Sequence, residues 1–324
     1  MEENLSIYID KKYIKKFFFI ICSLLISTVL VLPGDVTWAR DRDNYLIYAH
    51  SSLLTLERYL GEGILAVFSN EPLFLLINII LEFLNSPELT VKIIIFMSSM
   101  IVLLCLGKLT DYNPLVIVLF LILPQVIKNH IIHLRQGLAL GVYLLSFIPI
   151  KGKKIAFLRY IAPFIHSSFL FLLFFEFLEK TLKFLWFNFI PRMVFSVGLI
   201  FFLIQSVPFL AILMQDRRAQ EYDFSMTSGA SGLGLLVWIG VAFIFILIVD
   251  KGKLINVICC YGLSFYILSY FFLDFGARVF ESILPLMIVA TLNVEDKESK
   301  AFLVLLLIAA GVLSWLTNGI GFLV

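Results

Sequence analysis

A chain of 324 residues that is 61% hydrophobic and only 15% charged cannot be a soluble enzyme, because soluble domains carry about 25% charged residues. Its mean hydropathy of +1.00 agrees. A net charge of +2 provides no basic surface, so no nucleic-acid partner is expected.

Apolar runs fall near 17–33, 72–85, 93–107, 114–127, 136–150, 155–178, 186–210, 232–249, 254–273, 279–293 and 301–323. Their lengths predict an all-α polytopic integral membrane protein of about 9–11 transmembrane or re-entrant helical segments. It forms a single transmembrane domain over 1–324, and the run at 17–33 reads as an uncleaved first span. Two polar stretches exceed ordinary joints: an outer loop with an amphipathic helix at 34–71, and a second outer loop at 211–231. Cys22, Cys105, Cys259 and Cys260 lie inside apolar runs without metal-site spacing and read as inert thiols.

Lysine position sets the orientation. Lys11, Lys12, Lys15 and Lys16 precede the first run, and lysines recur at 151–154, 180–183, 250–253 and 295–300. The positive-inside bias makes all of these cytoplasmic. Alternation of full spans then fails unless 72–85 enters and returns to the outer side and 155–178, interrupted by Pro163, is a broken hairpin. On this map the outer basic residues are mostly arginine: Arg40, Arg42, Arg58, Arg135, Arg217, Arg218 and Arg278, with Lys92 and Lys128. Arginine presents a planar fork that grips phosphate oxygens in pairs, which suggests an anionic, phosphorylated ligand met outside. The alternative is pairing with nearby acids such as Asp41, Asp43 and Glu57.

In chain order, Arg40-Asp41-Arg42-Asp43-Asn44-Tyr45 precedes an amphipathic pattern, with Leu46, Ala49, Leu53, Leu56 and Leu60 at helical spacing. That pattern predicts a helix lying on the membrane surface over 46–60. Glu71-Pro72 opens the short segment, where Glu71 reads first as a capping carboxylate and second as a contact for a sugar hydroxyl. Arg135 heads an apolar segment, where a helix N-terminus would help it hold an anion; a snorkelling arginine is the alternative. His130 and His133 lack partners at ligand spacing, so no metal is implied. His166 lies in an intramembrane break beside Pro163, which marks a functional candidate able to accept a proton; a histidine bonded to a freed carbonyl is the alternative. Asp274, Arg278 and Glu281 would share one helix face, as an ion-pair ladder or as ligand contacts. There is no phosphate loop, no acidic metal pair and no comb of charges for voltage sensing.

The order of these elements resembles the EpsG family of polysaccharide polymerases, akin to the Wzy polymerases of O-antigen, capsule and exopolysaccharide assembly. The resemblance rests on Arg40-Asp41-Arg42-Asp43-Asn44-Tyr45, Glu71-Pro72-Leu73-Phe74, Arg135-Gln136-Gly137-Leu138-Ala139, Phe164-Ile165-His166-Ser167-Ser168 and Arg278-Val279-Phe280, over about residues 35–290. It implies a bacterial inner-membrane glycosyltransferase whose active site faces the periplasm or exterior. The substrate would be an undecaprenyl-pyrophosphate-linked oligosaccharide, joined to the next repeat unit as lipid pyrophosphate leaves. It further implies His166 as first choice of base, then Asp43 or Glu71, with Arg135 and Arg278 on the leaving group and Arg40, Arg217, Asp274 and Glu281 as further substrate contacts. No cofactor is implied; membrane lipid, flippase and chain-length regulator proteins are the implied partners. A lipid-linked glycan ligase or a flippase of lipid-linked saccharide are the competing readings.

Overall fold

The computed structural model describes residues 11–32, 37–39, 41–150, 153–185, 188–213, 232–273 and 276–318. In those residues the chain is a bundle of α-helices, with a two-residue antiparallel ladder between β1 (Pro149–Ile150) and β2 (Lys153–Lys154). The chain is a multi-pass membrane protein of all-α fold. Lipid offers no hydrogen bonds, so each apolar run satisfies its backbone internally by coiling into a helix.

Among the described residues, four helices are long and apolar enough to cross a membrane: α1 (Lys11–Val31), α5 (Pro87–Leu109), α11 (Phe189–Leu213) and α15 (Lys297–Asn318). The start of α5 shows how sequence sets a boundary. The Ser86 side chain accepts from Leu89 N–H at 3.2 Å, and Pro87 occupies a first-turn position that needs no donor. The remaining elements are shorter: α2 (Arg42–Glu62), α3 (Ile64–Ser69), α4 (Pro72–Leu81), α6 (Leu115–Ile122), α7 (Pro124–Ile131) and α8 (Leu134–Leu145). After them come α9 (Leu158–Ile161), α10 (Phe169–Leu185), α12 (Leu233–Ile248), α13 (Leu254–Ser269) and α14 (Gly276–Leu292).

Several expected segments are broken, each for a visible reason. The run at 114–127 divides between α6 and α7 because Pro124 forces Leu123 out of helical geometry, to ψ 97°. The run at 155–178 comprises α9, a 3₁₀ turn at Ala162–Phe164 and α10. Arg159 on α9 pairs with Glu176 on α10. The run at 72–85 is α4 plus a 3₁₀ turn ending at left-handed Asn85, just before α5.

The α2 stripe divides. Leu53 and Leu60 are exposed, Leu46 and Leu56 pack partly against the core, and Ala49 is buried with Arg42, Tyr45, Tyr48, Ser52 and Tyr59. In a membrane bundle apolar side chains can face lipid, which frees the inner face for polar groups.

One end of the bundle gathers lysine-bearing joints. Lys253 lies 4.0 Å from Glu295, Asn293 Nδ2 donates to Leu109 O at 3.0 Å, and Lys16 sits over the Tyr112 ring. Above this end lies a buried ionic layer. Glu176 pairs with Arg159 and Lys180, while Glu179 pairs with Arg192 and accepts from Tyr261 Oη at 3.0 Å. These pairs tie α9, α10, α11 and α13 together.

Candidate functional site

The site begins at Glu71. Its backbone is left-handed (φ 59°, ψ 55°) and Pro72 fixes the first turn of α4 behind it. A left-handed non-glycine residue costs about 1–2 kcal/mol, so its surroundings must hold it there. The capping role expected from sequence is not taken, because the carboxylate makes no bond to the α4 N-terminus. Instead Oε2 accepts from Arg135 Nη1 at 2.5 Å, while Oε1 lies 2.6 Å from His166 Nδ1 and accepts from Ser167 N–H at 3.1 Å. Glu71 is 2% exposed and His166 5%, so the carboxylate–imidazole–guanidinium cluster is withdrawn from solvent. Three chain segments meet at one acid: the turn before α4, the head of α8 and the break between α9 and α10.

Aromatic rings complete the setting of Arg135. Tyr45, Tyr48 and Phe74 stand with centroids 5.8, 5.3 and 5.9 Å from its guanidinium carbon. Such rings stabilise a cation by about 0.5–2 kcal/mol each where water is excluded. The inner face of α2 supplies two of them. Arg42 anchors that helix by donating from Nη2 to Ile131 O at 2.5 Å, a carbonyl left over at the end of α7.

A second cluster forms around Glu281, which is 2% exposed on α14. Its Oε1 lies 3.2 Å from Lys128 Nζ and its Oε2 3.4 Å from His133 Nε2. Pro285 lies four residues beyond Glu281 and lacks the N–H that would bond the Glu281 carbonyl. Asn129 Nδ2 on α7 donates to that carbonyl instead, at 2.9 Å. Gln136 Nε2 donates to Arg278 O at 2.5 Å and to Ser282 Oγ at 2.9 Å. The proline break in α14 is thus pinned to both α7 and α8.

His133 joins the two clusters. It lies 3.4 Å from Glu281 and stands two residues before Arg135, at the head of α8. Between them the clusters hold three fixed cations (Lys128, Arg135, Arg278) and two acids (Glu71, Glu281). The excess of one positive charge among the described residues suits an anionic group.

Close packing of α7 on α8 makes this convergence possible. A Cβ added at Gly137 would lie 2.2 Å from Asn129 O and 2.9 Å from His130 Nδ1. His130 in turn bonds Ser98 Oγ at 3.1 Å, halfway along α5.

Of the residues singled out in the sequence, Glu71, His166, Arg135, Arg278 and Glu281 converge. Asp43 does not: it is exposed on the side of α2 away from the buried Arg42–Tyr45–Tyr48 face. Arg40, Arg217 and Asp274 lie outside the described residues, as does 214–231 of the second expected loop. The roles of Tyr45, Tyr48, Phe74, Asn129 and Gln136, and the ionic role of Lys128, were missed. The Glu281 carbonyl four residues before Pro285 was the legible clue to one of them.

Fold and site together define a polytopic helical membrane protein with a buried, net-cationic acid–histidine–arginine centre. The chain belongs to the EpsG family, whose family model matches residues 16–319, nearly the whole sequence. EpsG is a Wzy-type polymerase-like family, which associates the chain with polysaccharide polymerisation. No curated protein and no solved structure gives a significant match.

Proposed function

We propose that the protein joins undecaprenyl-pyrophosphate-linked oligosaccharide repeat units into a surface polysaccharide, acting in the bacterial inner membrane with its lysine end cytoplasmic. The observation that carries this reading is the buried Glu71 carboxylate bonded at once to His166 and Arg135. An imidazole held through Nδ1 by a carboxylate is oriented for proton transfer at Nε2, and the carboxylate stabilises the imidazolium that results.

In the proposed reaction an acceptor sugar hydroxyl attacks the anomeric carbon of the lipid-linked glycan. The new glycosidic C–O bond forms as the bond from that carbon to pyrophosphate oxygen breaks, and the electron pair leaves with lipid pyrophosphate. His166 takes the hydroxyl proton. Arg278 and Lys128, both half-buried, meet the developing negative charge, and Arg135 holds the Glu71 carboxylate in place. Fixed cations in a water-poor site need no reorganisation as charge builds on the leaving group.

Purified protein reconstituted in liposomes with lipid-linked repeat units is the test. Lengthening glycan with matching release of undecaprenyl pyrophosphate is expected. Movement of intact units between leaflets without bond formation would contradict the proposal.

A further inference from the structure

A cavity of about 400 Å³ opens among α7, α12, α13, α14 and α15, away from the lysine end. We propose that it binds sugar rings of the acceptor glycan, an assignment that rests on the polymerase reading above. Its walls combine two kinds of surface. Trp238, Tyr266 and Phe280 form an aromatic side, with Phe280 stacked on Tyr266 at 4.2 Å and edge-on to Trp238 at 4.6 Å. Gln125, Lys128 and Glu281 form a polar side.

A pyranose has an apolar C–H face and a rim of hydroxyls, so it needs a flat ring against one and fixed donors and acceptors against the other. Gln125 is 9% exposed, and its Nε2 donates to Ser314 Oγ at 3.0 Å. Its Oε1 is buried with no hydrogen-bond partner among the described residues. A buried acceptor left without a donor is costly, and a sugar hydroxyl would satisfy it. A polyprenyl chain would leave it unsatisfied and would gain nothing from the Lys128 charge. Glu281 lines this cavity and also belongs to the cluster reached through His133, so a glycan seated here abuts the reacting centre.

The probe is a set of short, lipid-free fragments of the host's own polysaccharide, titrated against purified full-length protein in detergent by calorimetry. Wild type and Glu71→Gln should both bind them. Trp238→Ala and Gln125→Leu should weaken binding by about tenfold, roughly 1.4 kcal/mol. Trp238→Phe, which keeps an aromatic wall, should retain most of it and so separates loss of contact from loss of fold. No binding to wild type, or equal binding to Trp238→Ala, would overturn the assignment. The effect of Glu71→Gln on polymerisation decides the function separately, since fragment binding does not depend on that carboxylate.

Discussion

Glu71 and Arg135 stand 64 positions apart in the chain and meet at 2.5 Å, the acid 2% exposed and the arginine side chain 17%. An unpaired buried charge costs several kcal/mol, so each residue is a condition for the other. The pair also fixes two helix beginnings, those of α4 and α8, against each other.

Arg135→Lys and Arg278→Lys should each impair polymerisation. Lysine keeps the charge and snorkels as readily, yet loses the planar set of donors. At 135 it must reach Glu71 with a compact ammonium in place of a fork caged by Tyr45, Tyr48 and Phe74. Losing one charge-assisted hydrogen bond costs about 1.5–3 kcal/mol, or roughly ten- to hundredfold in rate. Shortened chains on a glycan gel, with protein level unchanged, are expected. Full-length polymer from both variants would return these arginines to an anchoring role.

His166→Ala should lower the rate of glycan transfer by about 10²–10⁴-fold, the usual contribution of a general base. Release of undecaprenyl pyrophosphate measures it directly. Rates equal to wild type would remove His166 from the mechanism and shift attention to the acids.

Gly137→Ala tests the packing that brings the two clusters together. The new methyl would lie 2.2 Å from the Asn129 carbonyl, so α7 and α8 must separate. Overpacking costs about 1–3 kcal/mol, and here it displaces Lys128, His133 and Arg135 together. A lower melting temperature in detergent and a loss of polymer are expected. Unchanged activity would show that the helix contact is looser than described.

The overall organisation was legible because lipid makes composition decisive: apolar runs and lysine joints led to an all-α bundle with a lysine-bearing end. Glu71, His166 and Arg135 were legible as individuals, since each is a polar group where an apolar segment begins or breaks. Their mutual contact was not, because nothing in local spacing links positions 71, 135 and 166. On α2 the inward aromatics were not legible: Tyr45 and Tyr48 are buried beside Ala49, while Leu53 and Leu60 of the leucine stripe stay exposed. Lys128 was grouped with surface basics because its acid partner lies on α14, far along the chain.

The ionic layer above the lysine end is expected to be structural. Glu179→Leu leaves Arg192 and Tyr261 without their shared acceptor and should destabilise the protein by about 3–5 kcal/mol. The double variant Glu179→Leu/Arg192→Leu, read by thermal unfolding, should recover much of that loss, because a well-packed apolar pair removes the stranded charge. A double variant no more stable than the single one would mean that the charges also organise groups beyond the pair.

The most direct measurement is the rate of undecaprenyl pyrophosphate release by Glu71→Gln in liposomes, with melting temperature and membrane insertion followed in parallel. Glutamine keeps the shape but removes the charge that orients His166 and pairs Arg135. A loss of about a hundredfold or more, with lipid-linked single repeats accumulating and the protein still inserted, is the result expected from a carboxylate that holds a catalytic base. Wild-type release and full-length glycan from Glu71→Gln would contradict the proposed function.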